Sequence, residues 1–324
     1  MYLSYLVQEE DRGRTAEWVM RHRMEISSSL SRAMKRYRGL SVNGHFVLHM
    51  TPVEPGDLIE VSFVREDELT GPLPNPLGLP IVSDDDWLSV VGKPPALPSH
   101  PRFPGDPGLS TVFTDKTLHL INRLDMDTSG LVILGKNAHI HHLMARTPIR
   151  KIYLALVHGV VEKSGRIVAP ISRKEGSIIE RKIDPQGQEA VSHYEVLATW
   201  PKAGASLLAF LLETGRTHQI RVHAQYIGHP LVGDTLYGWE ESFPGGPTEE
   251  NFRALALNRL LKRQFLHAQR LCFTHPISGE DLDLSLALPD DLTRVLKYLN
   301  EVDQVHEEGT VRPLLDIPVA ARNI

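Results

Sequence analysis

The segment Arg123-Leu-Asp-Met-Asp-Thr-Ser-Gly130 sets two carboxylates, Asp125 and Asp127, behind an arginine and ahead of a hydroxyl pair and a glycine. Three chemistries use such a stretch. They are a calcium loop, a carboxylate pair flanking a glycosidic bond, and a single aspartate acting on a nucleic acid. A calcium loop starting at Asp125 accepts Asp127, Ser129 and Gly130 but requires a bidentate carboxylate where Lys136 stands. Acids at alternate positions of an extended segment point to opposite faces, which does not suit a glycosidase pair. Asp127 also fits a turn residue bonding its own backbone. The choice between a carboxylate pair and one catalytic aspartate depends on the other polar segments.

The richest of these is 211–238, Leu-Leu-Glu-Thr-Gly-Arg-Thr-His-Gln-Ile-Arg-Val-His-Ala-Gln through to Gly238. Gly215 ends a strand and Thr217 is expected to cap a helix. Ile220, Ala224 and Ile227 share its apolar face, while His218, Arg221 and Gln225 share another. Gly228 and Pro230 stop it. With Arg216 just ahead, cations gather at a helix N-terminus, which favours a phosphate or a carboxylate. No metal is expected. His218 and His223 lack the metalloprotease spacing, and His139, His141 and His142 have no acid beside them and read as a helix surface. The single cysteine, Cys272, excludes an internal disulfide or a Cys-cluster zinc site and is expected to pack in an apolar strand. Thr-Ser-Gly is not a serine nucleophile elbow.

The elements that must carry these residues come from ordinary globular composition: 324 residues, 41% hydrophobic, 23% charged, net charge −5. The N-terminus has no secretory pattern and no long uncharged apolar run exists, so a cytoplasmic protein without membrane contact is expected. Charge is unevenly spread. Between Asp11 and Arg38, Arg12, Arg14, Arg21, Arg23, Arg32, Lys35, Arg36 and Arg38 oppose only Asp11, Glu17 and Glu25, whereas Glu280–Glu308 is acidic. The basic end suggests a polyanion contact.

Residues 11–63 read as a small unit. A first helix carries Val19, Met20, Met24 and Ile26. A second is capped at Ser27–Ser29 and stopped at Gly39, with Leu30, Ala33, Met34 and Tyr37 as its apolar stripe. A hairpin turns at Asn43-Gly44, and a strand follows Glu54-Pro-Gly-Asp57. The Pro/Gly-rich stretch 69–80 reads as a connection. Beyond it, strands at 191–200 and 206–215 separated by short turns suggest a largely antiparallel α+β domain. The last residues read as a loose tail.

Together the segments 93–101, 123–131, 151–159, 214–238 and 265–276 resemble, in order and spacing, the blocks of the RluA-type pseudouridine synthases. Residues 11–63 are similar, more loosely, to the alpha-L module of a ribosomal small-subunit protein. Asn122 and Met126 depart from the family pattern of His and a basic residue. The resemblance implies an α+β fold with a mixed, largely antiparallel sheet flanked by helices. It implies residues 1–68 as an RNA-binding-like module, 69–82 as a linker, 83–300 as the catalytic domain and 301–324 as a tail. It further implies isomerisation of uridine in RNA by a monomeric enzyme without a cofactor. Large-subunit ribosomal RNA is the favoured substrate; transfer RNA, or a non-catalytic ribosome-assembly role, is the alternative. Asp125 is then the essential carboxylate, Arg221 its ion-pair partner and Tyr153 the residue stacked on uracil. Arg123, Arg216 and His218 contact the RNA.

Overall fold

The computed structural model describes residues 2–63, 71–103, 105–116, 118–238 and 248–304. Among the described residues, apolar positions alternate or run continuously through sixteen strands, in two main sheets.

The small N-terminal sheet has β1 (Tyr2–Leu6), β2 (Leu40–Val42), β3 (His45–Phe46) and β4 (Leu58–Ser62), in the order β1-β4-β2-β3. Asn43 and Gly44, both at positive φ, make the β2–β3 turn as the dipeptide predicts. Two helices pack against this sheet, α1 (Ala16–His22) and α2 (Ser28–Tyr37). The Thr15 hydroxyl accepts the Trp18 amide and the Ser27 hydroxyl accepts the Leu30 amide, so each helix has a side-chain N-cap. Met24 and Ile26 are buried, as expected of core residues, but lie beyond the end of α1. β1 precedes the expected start of the unit at residue 11 and completes its sheet.

The large sheet contains β5 (Ile81–Asp84), β6 (Leu88–Lys93), β7 (His119–Leu120), β8 (Ser129–Gly135), β9 (Arg150–His158) and β10 (Gly165–Val168). A separate ribbon pairs β11 (Ile171–Arg173) with β12 (Arg181–Ile183). The large sheet resumes with β13 (Val191–Trp200), β14 (Ala205–Leu212), β15 (Leu266–Thr274) and β16 (Asp281–Ser285). Its order is β10-β13-β14-β9-β15-β8-β6-β5, with β16 beside β15 and β7 beside β8. Helices α3 (Ala138–Met144), α4 (Gln219–Tyr226), α5 (Glu249–Leu260) and α6 (Asp290–Asp303) complete the fold. It is α+β with a largely antiparallel sheet, as expected.

Among the described residues, β8 and β15 form the one parallel pair, Ser129 opposite His267 and Gly130 opposite Ala268. Gly130 has φ 128°, and a Cβ there would lie 2.5 Å from the Ala268 amide nitrogen. Only glycine permits this approach. The signature glycine therefore sets the sheet register at the point where the Asp125 loop enters β8.

The core falls into three large clusters. One lies under the cleft and includes Leu124, Tyr153, Phe210 and Ile220. A second packs β14, Trp200 and α6 together. A third is continuous from the small sheet to the large one, joining Met20, Met34 and Val61 to Leu88, Leu131 and Ile133. Phe63 meets the Trp87 ring edge-on and stacks on His139 at 4.8 Å. His139 is thus buried rather than on a helix surface, because this apolar junction covers its side of α3.

Within the expected connection, Leu73 is buried, and Lys136 donates to the Gly71 carbonyl at 2.8 Å. Residues 69 and 70, most of the expected 301–324 tail and the Tyr37 side chain lie outside the described residues. Cys272 is half-buried on β15 beside Asp283, not in the core, because this strand turns that side chain toward its partner β16.

Candidate active site

Asp125 lies in the loop between β7 and β8, which is fastened from three sides. The Ser99 hydroxyl donates to the Leu124 carbonyl at 2.7 Å and accepts its amide at 3.1 Å. Lys93, at the end of β6, donates to the carbonyls of Pro94, Leu97 and Met126 at 2.7, 2.8 and 2.8 Å. Arg263 donates to the Asp127 carbonyl at 3.1 Å while holding Asp291 of α6 at 2.7 and 3.0 Å. Gln264 donates to the Thr128 hydroxyl at 3.1 Å. Burial pulls the Lys93 ammonium down to about 7, against the opposing pull of Asp127 and Asp125. Three carbonyl acceptors require all three ammonium hydrogens, so this socket is shaped for the charged form.

The loop presents the Asp125 carboxylate to Arg221 of α4. Arg221 Nη1 donates to Asp125 Oδ2 at 3.3 Å, across 96 positions of sequence. The other edge of the guanidinium forks onto Asp234, Nε to Oδ2 at 2.6 Å and Nη2 to Oδ1 at 2.8 Å. The Asp234 side chain is 0% exposed, that of Arg221 8%, and that of Asp125 25%. Arg221 is therefore held from below by a buried partner and offers its remaining edge to a carboxylate that faces solvent.

Burial alone would raise the Asp234 pKa. The Arg221 bonds and charge, with the amides of Tyr237 and Leu236, outweigh burial and hold it below the usual carboxylate range. Burial likewise opposes the Arg221 charge, but Asp234 and Asp125 together raise its pKa above the ordinary arginine value.

Tyr153, on β9, lines the same cleft and is 7% exposed. Burial first, and the Asp125 charge second, push its hydroxyl well above the ordinary phenol range, so it remains neutral. The cleft holds about 370 Å³ of empty space around Asp125, Tyr153, His218 and Arg221. A larger neighbouring space of about 1120 Å³ shares Arg123, Asp125, Tyr153 and Arg216 with it. Arg123 and Arg216 are exposed at its border. All six sequence-predicted residues thus come together around one opening. The Asp127 carboxylate lines neither space, so the two acids do not form a pair across the cleft.

Local details differ from the expected ones. α4 begins at Gln219, not after Thr217, and His218 is its N-cap residue, at a left-handed φ of 58°. No side chain caps the helix, and Gln219 instead ties the preceding turn to β13 through its side-chain amide. Its carbonyl oxygen accepts the Arg216 amide and the Thr214 hydroxyl, and its amide nitrogen donates to the Val191 carbonyl and Ser192 hydroxyl. His218 and Arg221 still converge on Asp125, since the N-cap turn aims the imidazole back over the first helical turn. Its Nε2 lies 3.8 Å from Asp125 Oδ2. His223 is buried and bonded to Ser192 and the Ala169 carbonyl, a structural role. Among the described residues no His, Cys, Asp and Glu group has metal-binding geometry. Asn122 spans the Leu131 carbonyl and the Ile133 amide, so this departure from the family pattern supports the loop from inside. Asp234, Lys93, Arg263 and Tyr237 were not singled out from sequence. The Gly-Asp-x-x-Tyr-Gly run at 233–238, with a lone acid amid apolar residues, was the one available signal.

The sequence profile described as RNA pseudouridylate synthase matches residues 88–226. An uncharacterized RNA pseudouridine synthase, YjbO of Bacillus subtilis, is 36% identical over 81% of this chain and 90% of its own length. The chain belongs to the RluA-type RNA pseudouridine synthases. It is accordingly an isomerase enzyme. The ribosomal large subunit pseudouridine synthase D of Xanthomonas campestris pv. campestris is 33% identical to this synthase, over 92% of this chain and 88% of that one. The corresponding protein of Vibrio cholerae is 34% identical over 81% of this chain and 83% of its own. Among solved structures, human RNA pseudouridylate synthase domain containing 4 aligns with a TM-score of 0.53 at 25% identity, over 68% of this chain and 92% of that one.

Proposed function

We propose that the protein converts uridine to pseudouridine in large-subunit ribosomal RNA, with Asp125 as the reacting carboxylate. The observation that carries this reading is the Asp125 carboxylate at the mouth of an open cleft, bonded at 3.3 Å to an arginine that is itself anchored from below. The substrate assignment draws on relatives named as ribosomal large subunit synthases.

The reaction breaks the bond between uracil N1 and ribose C1′, turns the base, joins C5 to C1′ and releases the C5 proton, with N1 ending protonated. It is an isomerisation without net loss. Asp125 acts on the sugar, as a nucleophile at C1′ or as a base at C2′. Arg221 pairs with the carboxylate and holds its orientation. Tyr153, neutral throughout, supplies an aromatic face for the base. A stacked uridine cannot present its glycosidic bond, so the nucleotide turns out of the RNA. Arg123, exposed beside the opening, takes the vacated place or grips the backbone, and Arg216 contacts phosphate.

The basic N-terminal unit, residues 1–68, extends this RNA contact. Some of its cations are engaged internally: Arg23 with Asp11 and Glu10, Arg12 with Glu9 and Glu54, and Lys35 with Glu17. Arg21, Arg32 and Arg36 are exposed and are the phosphate contacts of this reading. The enzyme acts as a cytoplasmic monomer. Asp125→Asn should abolish tritium release from C5-labelled uridine in ribosomal RNA while RNA binding stays near wild type. Full release by that variant refutes the assignment, and release from transfer RNA alone refutes the substrate.

A further inference from the structure

We propose that Tyr237 is a positioning residue, whose hydroxyl fixes His218 as the tautomer with hydrogen on Nε2, so that a neutral donor stands beside Asp125 and serves an oxygen of the bound uridine. This rests on the Asp125 reading above for its role in turnover, but not for the tautomer itself.

The argument is a count of hydrogens. The Tyr237 oxygen accepts the Arg181 backbone N–H at 2.7 Å and lies 2.8 Å from His218 Nδ1. Tyr237 is only 3% exposed, so its own hydrogen needs a protein acceptor. Among the described hydrogen bonds, His218 Nδ1 is the only acceptor at hand. If Nδ1 carried the hydrogen, the phenol would face two donors and its own hydrogen would be stranded in the interior, a costly arrangement. Tyr237 therefore donates, Nδ1 accepts, and the neutral ring carries its hydrogen on Nε2.

That nitrogen lies in the cleft, 3.8 Å from Asp125 Oδ2. The separation is too long for a hydrogen bond in the free enzyme. The N–H is thus left for a substrate atom that enters between them. The ring stays neutral because burial disfavours the imidazolium, and Arg221 and Arg181 add to this against the opposing Asp125 and Asp234 charges. A neutral donor beside the carboxylate suits this reaction, since uracil gains negative charge as N1 leaves C1′ and an oxygen of the base or sugar can be held without neutralising Asp125.

Tyr237 itself is fixed by backbone and charge. Its ring lies under Arg221, with the guanidinium carbon 4.9 Å from the centroid, and its amide donates to Asp234 at 3.0 Å. Replacing only the hydroxyl leaves both contacts in place.

The test reads the tautomer directly. Nitrogen NMR of histidine-labelled wild-type enzyme should show His218 with hydrogen on Nε2 and a bare Nδ1; hydrogen on Nδ1 overturns the proposal whatever the variants do. Tyr237→Phe should give a mixture of tautomers. Its single-turnover rate should fall roughly tenfold, the scale of one hydrogen bond, with RNA affinity little changed. His218→Gln carries an N–H donor that has no tautomer to fix. Adding Tyr237→Phe to it should cost less than about twofold more, because coupled residues are not additive. Losses that multiply, or a Tyr237→Phe enzyme of normal rate, overturn the idea. Failure of the Asp125 reading would instead appear as activity in Asp125→Asn, a measurement independent of the spectrum.

Discussion

Asp234→Asn tests how the guanidinium is aimed. Asparagine keeps the shape and can still accept the amides of Leu236 and Tyr237, which reach Oδ1 at 2.9 and 3.0 Å. It removes the charge that takes both short bonds from Arg221. Both side chains are almost wholly buried, so the cation below the cleft loses its main counter-charge where water cannot replace it. Breaking one side of such a pair costs about 3–5 kcal/mol. Some of that is recovered because Arg221 can still turn to Asp125, so roughly 2–4 kcal/mol is expected. For a chain of this size that is on the order of 5–10 °C in melting temperature. If Arg221 turns, Asp125 moves with it, and under the proposed role of Asp125 a displacement near 1 Å costs about 100-fold in rate.

The effect on stability has a defined pH dependence. The Asp234 pKa is held below its ordinary value, so its stabilisation is complete above that value and disappears as pH falls through the lowered one. Wild-type and variant melting curves should therefore differ at pH 7 and converge in acid. Single-turnover tritium release and thermal melting measured across pH check each part. A variant with the wild-type melting temperature and rate at pH 7 would refute the view that Asp234 holds Arg221 in place.

Three other outcomes follow from geometry elsewhere. Gly130→Ala should prevent or severely destabilise folding, because its Cβ would meet the Ala268 backbone at a φ of 128° that alanine avoids; a soluble variant within a few degrees of the wild-type melting temperature would contradict the β8–β15 register. Lys93→Met should lower the rate much more than RNA affinity, since three carbonyls around the Asp125 loop lose their donor; normal turnover would show that the loop holds without it. His139 is buried with neither ring nitrogen bonded, and burial lowers its pKa to about 4. Its neutral form is favoured on folding, so stability should rise between pH 4 and 6.5 by about 3 kcal/mol from this group, and His139→Phe should flatten that part of the profile in urea titrations.

The sequence by itself determined what depends on neighbours along the chain. Ser27 caps α2, Asn43-Gly44 turns the hairpin, and the Arg123–Gly130 run marks the loop of the candidate site, because caps and turns close over a few residues. The six candidate residues were named there because the segments that carry them resemble, in type and order, the blocks of a known family. Spacing alone did not put the start of α4 at Gln219 or bury His139. Both are outcomes of contacts with distant segments, Gln219 with Val191 and Ser192, His139 with Phe63.

Tertiary structure alone decided the support beneath the site. Asp234 holds Arg221, Lys93 and Arg263 hold the Asp125 loop, and Tyr237 meets His218, over separations of 13 to 136 positions. No local pattern encodes such pairings. They arise only when β8 pairs in parallel with β15 and α4 lies over the sheet, which brings separate segments into a shared, water-poor space. There the low dielectric makes each charge and each hydrogen depend on its partner.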